Sequence, residues 1–265
     1  QLLEAGLQEA LPGQHVQVYT AMRYWQPDTA TTLQDLQKDE IDQVVLMPLY
    51  PHFSWTTTGS SLRVWRDEKT RMGIQPQAWQ EHIVKSYPTH PDFVAAINAR
   101  IDEALAKMPA NSQDKVHIVF SAHGTPMAEV NSGDPYTREI EQTVAAVMQA
   151  RQHDRPHWLS YQSRVGPAKW TQPSTVDLAQ RLMDYGVHHL LMVPVAFVSD
   201  HIETLVELNV ELREELEPLG LQHLAVTEGL NGHPSFISCL TSQVLHHLQA
   251  KHPEATERTV TQHPA

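Results

Sequence analysis

Short apolar runs alternate with amphipathic stretches along most of this chain, and this alternation restricts the possible folds more than any other feature. The apolar runs are typical of buried strands, and apolar residues at helical spacing follow them. Strands that alternate with helices predict parallel βαβ units and a doubly wound α/β sheet. The predicted strands are residues 15–22, 41–50, 115–123, 157–162, 188–198 and 223–230.

Helical periodicity supports the same fold class. One apolar stripe recurs every four residues and is formed by Phe93, Ile97, Ile101 and Leu105. Residues 136–152 and 174–186 show the same pattern and predict two further helices. We expect Gly186 to end the second of these, since glycine commonly follows the last turn of a helix.

A weak internal repeat predicts two similar halves. The stretches "VVLMPLYPHFSWTTTGSS" and "LLMVPVAFVSDHIETL" share an apolar run, a proline, an aromatic residue and polar residues that open a helix. Pro48 and Pro194 occupy matching positions. We therefore predict two Rossmann-like halves, a terminal helix that packs back on the first half, and a loose tail, over residues 1–111, 112–230, 231–250 and 251–265.

Composition excludes several kinds of site and partner. The 265 residues include one cysteine, which rules out an internal disulfide, a cysteine-based zinc site and an iron–sulfur cluster ligated within this chain. The net charge of −12 argues against a nucleic-acid partner. No signal peptide is visible, and no apolar run is long enough to cross a bilayer. These features predict a cytoplasmic protein.

Polar residues gather where the predicted strands end. In open α/β sheets, ligands bind outside the carboxyl ends of the strands, so chemistry is expected there. These polar segments are residues 23–24, 50–61, 121–123, 162–164 and 199–203.

Two of these segments contain residues suited to proton or metal chemistry. His123 follows a buried strand, and an imidazole there can accept a proton, bind a metal or simply make structural hydrogen bonds. Glu203, Glu207 and Glu211 are spaced by four, which places them on one helical face. Such a row is either a solvated acidic stripe or a partly buried series that retains protons or binds cations.

Aromatic residues beyond the strands suggest a pocket. Trp25, Trp55 and Trp170 lie in polar loops, where they either pack locally or form walls for a large flat ligand. Thr56–Ser61 ("TTTGSS") resembles a capping turn and lacks the lysine of a Walker loop. No G-x-G-x-x-G pattern occurs, so the sequence does not support a nucleotide site.

Five long stretches resemble the ferrochelatase family, whose members insert ferrous iron into a porphyrin. They are "MRYWQP", "YPHFSWTTTGSSL", "FSAHGTPMAEVNSGDPY", "YQSRVGPAKWTQPST" and "VPVAFVSDHIETLVELNVE", and they follow the order of the family. The resemblance covers residues 22 to about 247. It implies an α/β fold of two Rossmann-like, chelatase-type domains, with parallel sheets flanked by helices and a porphyrin cleft between the domains.

The resemblance also implies the site residues. His123 and Glu203 would be catalytic and would face each other across the cleft. The same two residues would bind the metal, together with Glu207 and Glu211. The implied porphyrin contacts are Arg23, Tyr24, Tyr50, Ser121, Trp170, Phe197 and His201.

The implied reaction is the insertion of Fe²⁺ into protoporphyrin IX, the final step of heme synthesis. The segment "HIETL" resembles the members that use protoporphyrin. Alternatives are a chelatase for coproporphyrin III, a tetrapyrrole- or metal-binding protein without turnover, and a purely structural α/β protein. Porphyrin and Fe²⁺ would be substrates, no cofactor or [2Fe–2S] cluster would be tightly bound, and transient membrane contact would suit the poorly soluble porphyrin. The oligomeric state is not predicted.

One departure from the family concerns the start of the chain. The family has an opening strand and a following loop that forms one lip of the site, and neither precedes Gln1. We therefore expect a longer parent protein, and a first half that lacks a strand and one wall of the pocket.

Overall fold

Two parallel sheets form the centre of the protein. The computed structural model describes residues 1–163, 166–200 and 203–249, and for residues 203–205 it describes the backbone alone. A two-stranded sheet pairs β1 (Gln43–Leu46) with β2 (Gln80–Ile83). A four-stranded sheet has the order β4-β3-β5-β6, formed by β4 (His157–Gln162), β3 (His117–His123), β5 (His189–Pro194) and β6 (His223–Val226).

Helices flank both sheets. The α-helices are α1 (Leu2–Ala10), α2 (Thr29–Lys38), α3 (Ser60–Arg71), α4 (Pro91–Ala106), α5 (Met127–Asn131), α6 (Tyr136–Ala150), α7 (Thr175–Asp184), α8 (Leu212–Leu216) and α9 (Pro234–Gln249). Two π-helices cover Trp55–Gly59 and Glu203–Glu211, and two short 3₁₀ turns cover Gln113–Lys115 and Glu217–Leu219. The predicted α/β class with parallel sheets and flanking helices is confirmed.

Local signals account for several of these elements. Ser174 caps α7, because its hydroxyl accepts a hydrogen bond of 3.1 Å from the backbone N–H of Asp177. Gly186 follows the helix with φ of 81°, a conformation that glycine adopts without strain, so the predicted helix end is confirmed. The predicted strand over residues 157–162 coincides with β4.

The predicted strand over residues 15–22 is wrong. This segment has the alternation of a strand but joins no sheet, and Met22 makes only an isolated bridge to Asp28. Its backbone groups bind side chains instead: the Val18 N–H donates to a Glu4 carboxylate oxygen at 2.8 Å, and the Thr32 hydroxyl donates to the Thr20 carbonyl at 2.8 Å. Strand propensity requires a neighbouring strand to produce a ladder.

Two more differences concern the segments around the first sheet. The strand β2 was not predicted, because "QEHI" is short and mostly polar. The predicted capping turn at Thr56–Ser61 is instead helical, and Ser54 is the capping residue. Its side chain accepts a hydrogen bond of 3.3 Å from the Thr56 N–H.

The largest apolar core lies between the four-stranded sheet and α4, α6 and α9. Phe93, Phe120, Ile140 and Leu240 are among its buried residues. In the four-stranded sheet β3 lies between β4 and β5, and because these strands are parallel their carboxyl ends lie at the same edge. Among the described helices, none combines the length and the apolar character that crossing a bilayer would need.

Candidate active site

His123 ends the central strand β3, and the candidate site is built around it. In the sheet register His123 lies beside Gln162, the last residue of β4. The ring of Phe197 meets the His123 ring edge-on, with ring centroids 6.5 Å apart and an interplanar angle of 75°. The loop that carries Phe197 leaves β5 beside β3, because the Val195 N–H donates to the Ser121 carbonyl at 3.0 Å. The structure thus brings together His123 and Phe197, two predicted site residues.

A buried polar network lies at the carboxyl ends of β3 and β4. The Ser121 hydroxyl donates to the Gln162 amide oxygen at 2.7 Å and lies 3.0 Å from the Thr175 hydroxyl. Thr175 lies 3.0 Å from the Ser160 hydroxyl. Ser121 is fully buried, so the structure places this predicted porphyrin contact in the interior, with its hydroxyl already hydrogen-bonded.

Gly124 allows Trp170 to pack directly after His123. A Cβ atom on Gly124 would lie 2.9 Å from the Gln162 carbonyl oxygen and 3.3 Å from the Trp170 ring, so a side chain here would force the backbone to shift. The Trp170 indole N–H is buried and has no hydrogen-bond partner among the described residues. Buried donors are nearly always paired, so this N–H is an exception among the described residues.

The acidic row lies on the second π-helix, Glu203–Glu211. The Ser163 hydroxyl, just beyond β4, donates to a carboxylate oxygen of Glu207 at 2.9 Å. Glu207 is half-buried, whereas Glu211 is exposed at the start of α8. His201 lies outside the described residues, and so does the side chain of Glu203.

Asp200, in the polar segment after β5, has a structural role. Its carboxylate accepts hydrogen bonds of 2.8 Å from the Gly229 N–H and from the Asn231 side-chain amide. These hydrogen bonds hold the pKa of Asp200 below its usual value. The backbone of Gly229 packs so closely that a Cβ there would lie 2.5 Å from the Asp200 nitrogen. Asp200 therefore joins the end of the segment after β5 to residues 229–231.

A second group of predicted porphyrin contacts comes from the first half. The Arg23 guanidinium stacks over the Tyr24 ring at 4.6 Å, and its Nε donates to the Ser60 hydroxyl at 3.1 Å. Burial raises the pKa of the Tyr50 hydroxyl. The nearby Tyr24 raises this pKa further, and the charge of Arg23 lowers it. Arg23, Tyr24 and Tyr50 thus form one cluster, and Tyr24 and Tyr50 are 81% and 39% exposed, which leaves their rings available to a ligand.

The described residues include only some of the side chains that were predicted to bind the metal. Within the part of the chain that the structure describes, no group of three or more His, Cys, Asp or Glu residues could hold a metal ion. Because the Glu203 side chain and His201 fall outside that part, the ligand set formed by His123 and Glu203 stays a prediction. Ser163 lies in the predicted polar segment 162–164 just beyond β4, but it was not among the individual residues predicted for the site.

Comparison with known proteins identifies the family. A model of the family "Ferrochelatase" matches residues 1–248. The chain is 41% identical over 242 residues to a ferrochelatase of a Picosynechococcus species, a match that covers 89% of this chain and 61% of that protein. It is 42% identical over 241 residues to a ferrochelatase of a Cyanothece species, covering 91% of this chain and 62% of that one.

A solved structure resembles the fold. The Bacillus subtilis protein SirB, determined with Fe³⁺, superposes with a TM-score of 0.63, at 13% identity, over 93% of this chain and 87% of its own. Since that identity is low, the likeness concerns the fold. The chain spans about six tenths of the length of the two curated relatives. The match over residues 1–248 and the identity of about 40% lead to one conclusion: this chain belongs to the ferrochelatase family.

Proposed function

We propose that this protein inserts Fe²⁺ into protoporphyrin IX and forms protoheme. The observation that carries the proposal is the position of His123 at the end of the central strand, edge-on to Phe197, in a chain of the ferrochelatase family. The base and the aromatic surface that metal insertion requires are next to each other. The choice of protoporphyrin follows from the resemblance of "HIETL" to protoporphyrin-using members.

His123 is the proposed general base. Insertion releases two pyrrole protons from the free porphyrin and forms bonds from the ring nitrogens to Fe²⁺. His123 accepts the two pyrrole protons in turn and passes each to solvent, and Glu203 polarises the imidazole and binds or delivers the incoming Fe²⁺. A positioned base of this kind accelerates a reaction by roughly 10²–10⁴-fold.

The aromatic and cationic residues are proposed to bend the macrocycle. A flat porphyrin keeps its nitrogen lone pairs in the ring plane, so a saddled ring presents a lone pair to the metal. Distortion of this kind costs about 1–5 kcal/mol, which contacts remote from the nitrogens supply. Phe197 and Trp170 would contact the ring on one side, and the Arg23–Tyr24 pair on the other.

A second candidate is a tetrapyrrole-binding protein without turnover. A chelatase for coproporphyrin III is a third candidate, and it differs in the number of propionates that the site must bind.

The test is turnover without oxygen. The purified chain is mixed with protoporphyrin IX and Fe²⁺, and the loss of free-porphyrin fluorescence is followed. We expect turnover that falls by about 10²–10⁴-fold in His123→Ala and is lost in Glu203→Ala. His117→Ala is the matched control, because His117 lies at the opposite end of the same strand.

The remaining outcomes distinguish the candidates. Porphyrin binding without turnover would contradict the proposal and favour a binding protein. Tighter binding and faster metal insertion with coproporphyrin III than with protoporphyrin IX would move the assignment to the coproporphyrin branch.

A further inference from the structure

The Asp134 carboxylate joins two distant segments of the chain. Asp134 is 5% exposed. Its Oδ2 accepts hydrogen bonds from the Ser54 hydroxyl at 2.9 Å and from the Trp55 N–H at 2.8 Å. Its Oδ1 accepts a hydrogen bond from the Tyr136 N–H at 2.9 Å. The two oxygens therefore bind segments from different predicted halves, Oδ2 a segment of the first half and Oδ1 a segment of the second.

The Oδ2 contacts hold the first-half wall. Trp55 begins a continuous helical stretch, the π-helix Trp55–Gly59 and then α3, whose first N–H groups have no partner within the helix. A carboxylate stabilises such an end because it bonds the N–H groups and opposes the helix dipole. Here the carboxylate comes from a residue about 80 positions away. Ser60, in the same helix, binds the Arg23 side chain.

The Oδ1 atom of Asp134 is linked to His123 through Tyr136. Tyr136 is the first residue of α6, and its N–H is the group that Asp134 binds. The Tyr136 hydroxyl donates a hydrogen bond of 3.1 Å to the backbone carbonyl of His123. The end of strand β3 is therefore held by the same helix start that Asp134 fixes.

We propose that Asp134 is a positioning residue that sets the spacing between the Arg23–Tyr24 wall and His123. The inference rests on the proposed function, because it takes these groups as the two sides of the porphyrin site. A carboxylate is required, since both oxygens must accept. An asparagine amide has one acceptor oxygen and one NH₂ group, which only donates. It can therefore accept from one of the two segments, while its NH₂ group would face a backbone N–H of the other.

Glu139 offers a comparison, because its carboxylate holds only segments of the first half, whereas Asp134 also bonds the start of the helix that holds His123. Its carboxylate accepts hydrogen bonds from the Phe53 N–H at 2.7 Å and from the Ser86 hydroxyl at 3.2 Å. Both partners belong to the first half, and among the described residues the Glu139 carboxylate accepts no hydrogen bond from the segment around His123. Glu139→Gln should therefore loosen residues 53–55 without moving His123.

The experiment compares Asp134→Asn with Glu81→Gln. Glu81 is the matched control because its carboxylate also accepts three hydrogen bonds, from Trp65, Trp79 and Lys69, but all of them lie within the first half. Metal insertion and amide hydrogen exchange are measured for both variants in the full chain. We expect Asp134→Asn to lower kcat by about 10–100-fold, since small displacements of reacting groups have effects of this size. Exchange should rise in residues 53–60 and also in residues 119–125.

Several results would overturn the proposal. Wild-type kcat and KM in Asp134→Asn would do so, as would a kcat no lower than that of Glu81→Gln at equal loss of stability. If Asp134→Asn does not fold, Tyr136→Phe decides, because it removes only the hydroxyl that holds the His123 carbonyl. That variant should lower kcat and raise exchange at residues 119–125 alone, and unchanged kcat with unchanged exchange would refute the link.

The exchange measurement keeps this inference separate from the proposed function. If the wild-type chain shows no metal insertion, the proposed function fails. Amide hydrogen exchange then still shows whether Asp134→Asn loosens residues 53–60 and residues 119–125 while Glu81→Gln loosens neither range. Loosening on only one side, or on neither, would overturn the positioning role by itself.

Discussion

The hydroxyl of Ser163 donates a 2.9 Å hydrogen bond to the Glu207 carboxylate and so joins the end of β4 to the acidic π-helix. Glu207 is half-buried, and the bond fixes the direction of its carboxylate. If the acidic helix delivers the metal, the orientation of this carboxylate should matter more to metal uptake than to chemistry.

Removing this hydroxyl should weaken metal uptake. We expect Ser163→Ala to raise the apparent KM for the metal by about three- to tenfold with little change in kcat, because a hydrogen bond contributes about 0.5–1.5 kcal/mol. Ser238→Ala is the control, since it removes a 2.8 Å hydroxyl–carboxylate bond to Asp92 on a distant surface. Glu207→Gln should raise the metal KM further. An unchanged KM with a shifted pH profile would instead assign the helix to protons.

Metal selectivity follows from the predicted ligands. A site of one imidazole and one carboxylate suits Fe²⁺ but discriminates poorly against Zn²⁺, which has a similar or greater affinity for such ligands. We therefore expect the protein to insert Zn²⁺ into protoporphyrin IX in vitro, followed by the fluorescence of the zinc product. Iron insertion without any zinc insertion would contradict the assignment of His123 and Glu203 as ligands.

Gly124 should not tolerate a side chain. In Gly124→Ala the new methyl group would lie 2.9 Å from the Gln162 carbonyl oxygen, and we expect a loss of about 1–3 kcal/mol in the free energy of unfolding. Gly59→Ala is the matched control, because its Cβ meets nothing closer than 3.4 Å and its φ of −59° suits alanine. That variant should be as stable as wild type or more so in urea denaturation. Equal stabilities for the two variants would contradict the packing argument.

Buried His52 should make the protein less stable in acid. Burial lowers the pKa of His52 from 6.5 to about 3, so the unfolded chain binds a proton between these values that the folded chain does not. Stability is therefore lost as the pH falls below about 6.5, and the contribution reaches about 2 kcal/mol at pH 5 relative to pH 7.5.

The variant His52→Gln isolates this contribution. It removes the titrating group and retains a side chain that can bind the Thr143 hydroxyl, which His52 contacts at 2.8 Å. Urea denaturation at both pH values should show a smaller difference in the variant than in wild type. An identical difference would assign the acid sensitivity to other groups.

The sequence predicted correctly those elements whose own residues carry a clear signal. The strand β4 and the helix end at Gly186 were predicted because alternation and a glycine signal are local. Residues 15–22 satisfy the same alternation, yet no strand lies beside them, so their backbone groups bind side chains instead. The strand β2 has almost no pattern of its own and is defined by its pairing with β1.

The candidate site also has parts that the sequence could predict and parts that it could not. The position of His123 could be predicted because it ends a strand of clear pattern, and its contact with Phe197 follows from the parallel order of β3 and β5. The link from Asp134 to Ser54 could not be predicted, because nothing in the spacing of a sequence specifies which side chain meets a residue 80 positions away.

The large core has a consequence for how the molecule unfolds. Phe93 and Ile97 of α4 belong to the same buried cluster as Val193 of β5 and Leu240 of α9. This cluster crosses the boundary predicted near residue 111, so the helices and strands that share it should lose their packing together. Melting should be cooperative, with one peak of heat absorption whose calorimetric and van't Hoff enthalpies agree.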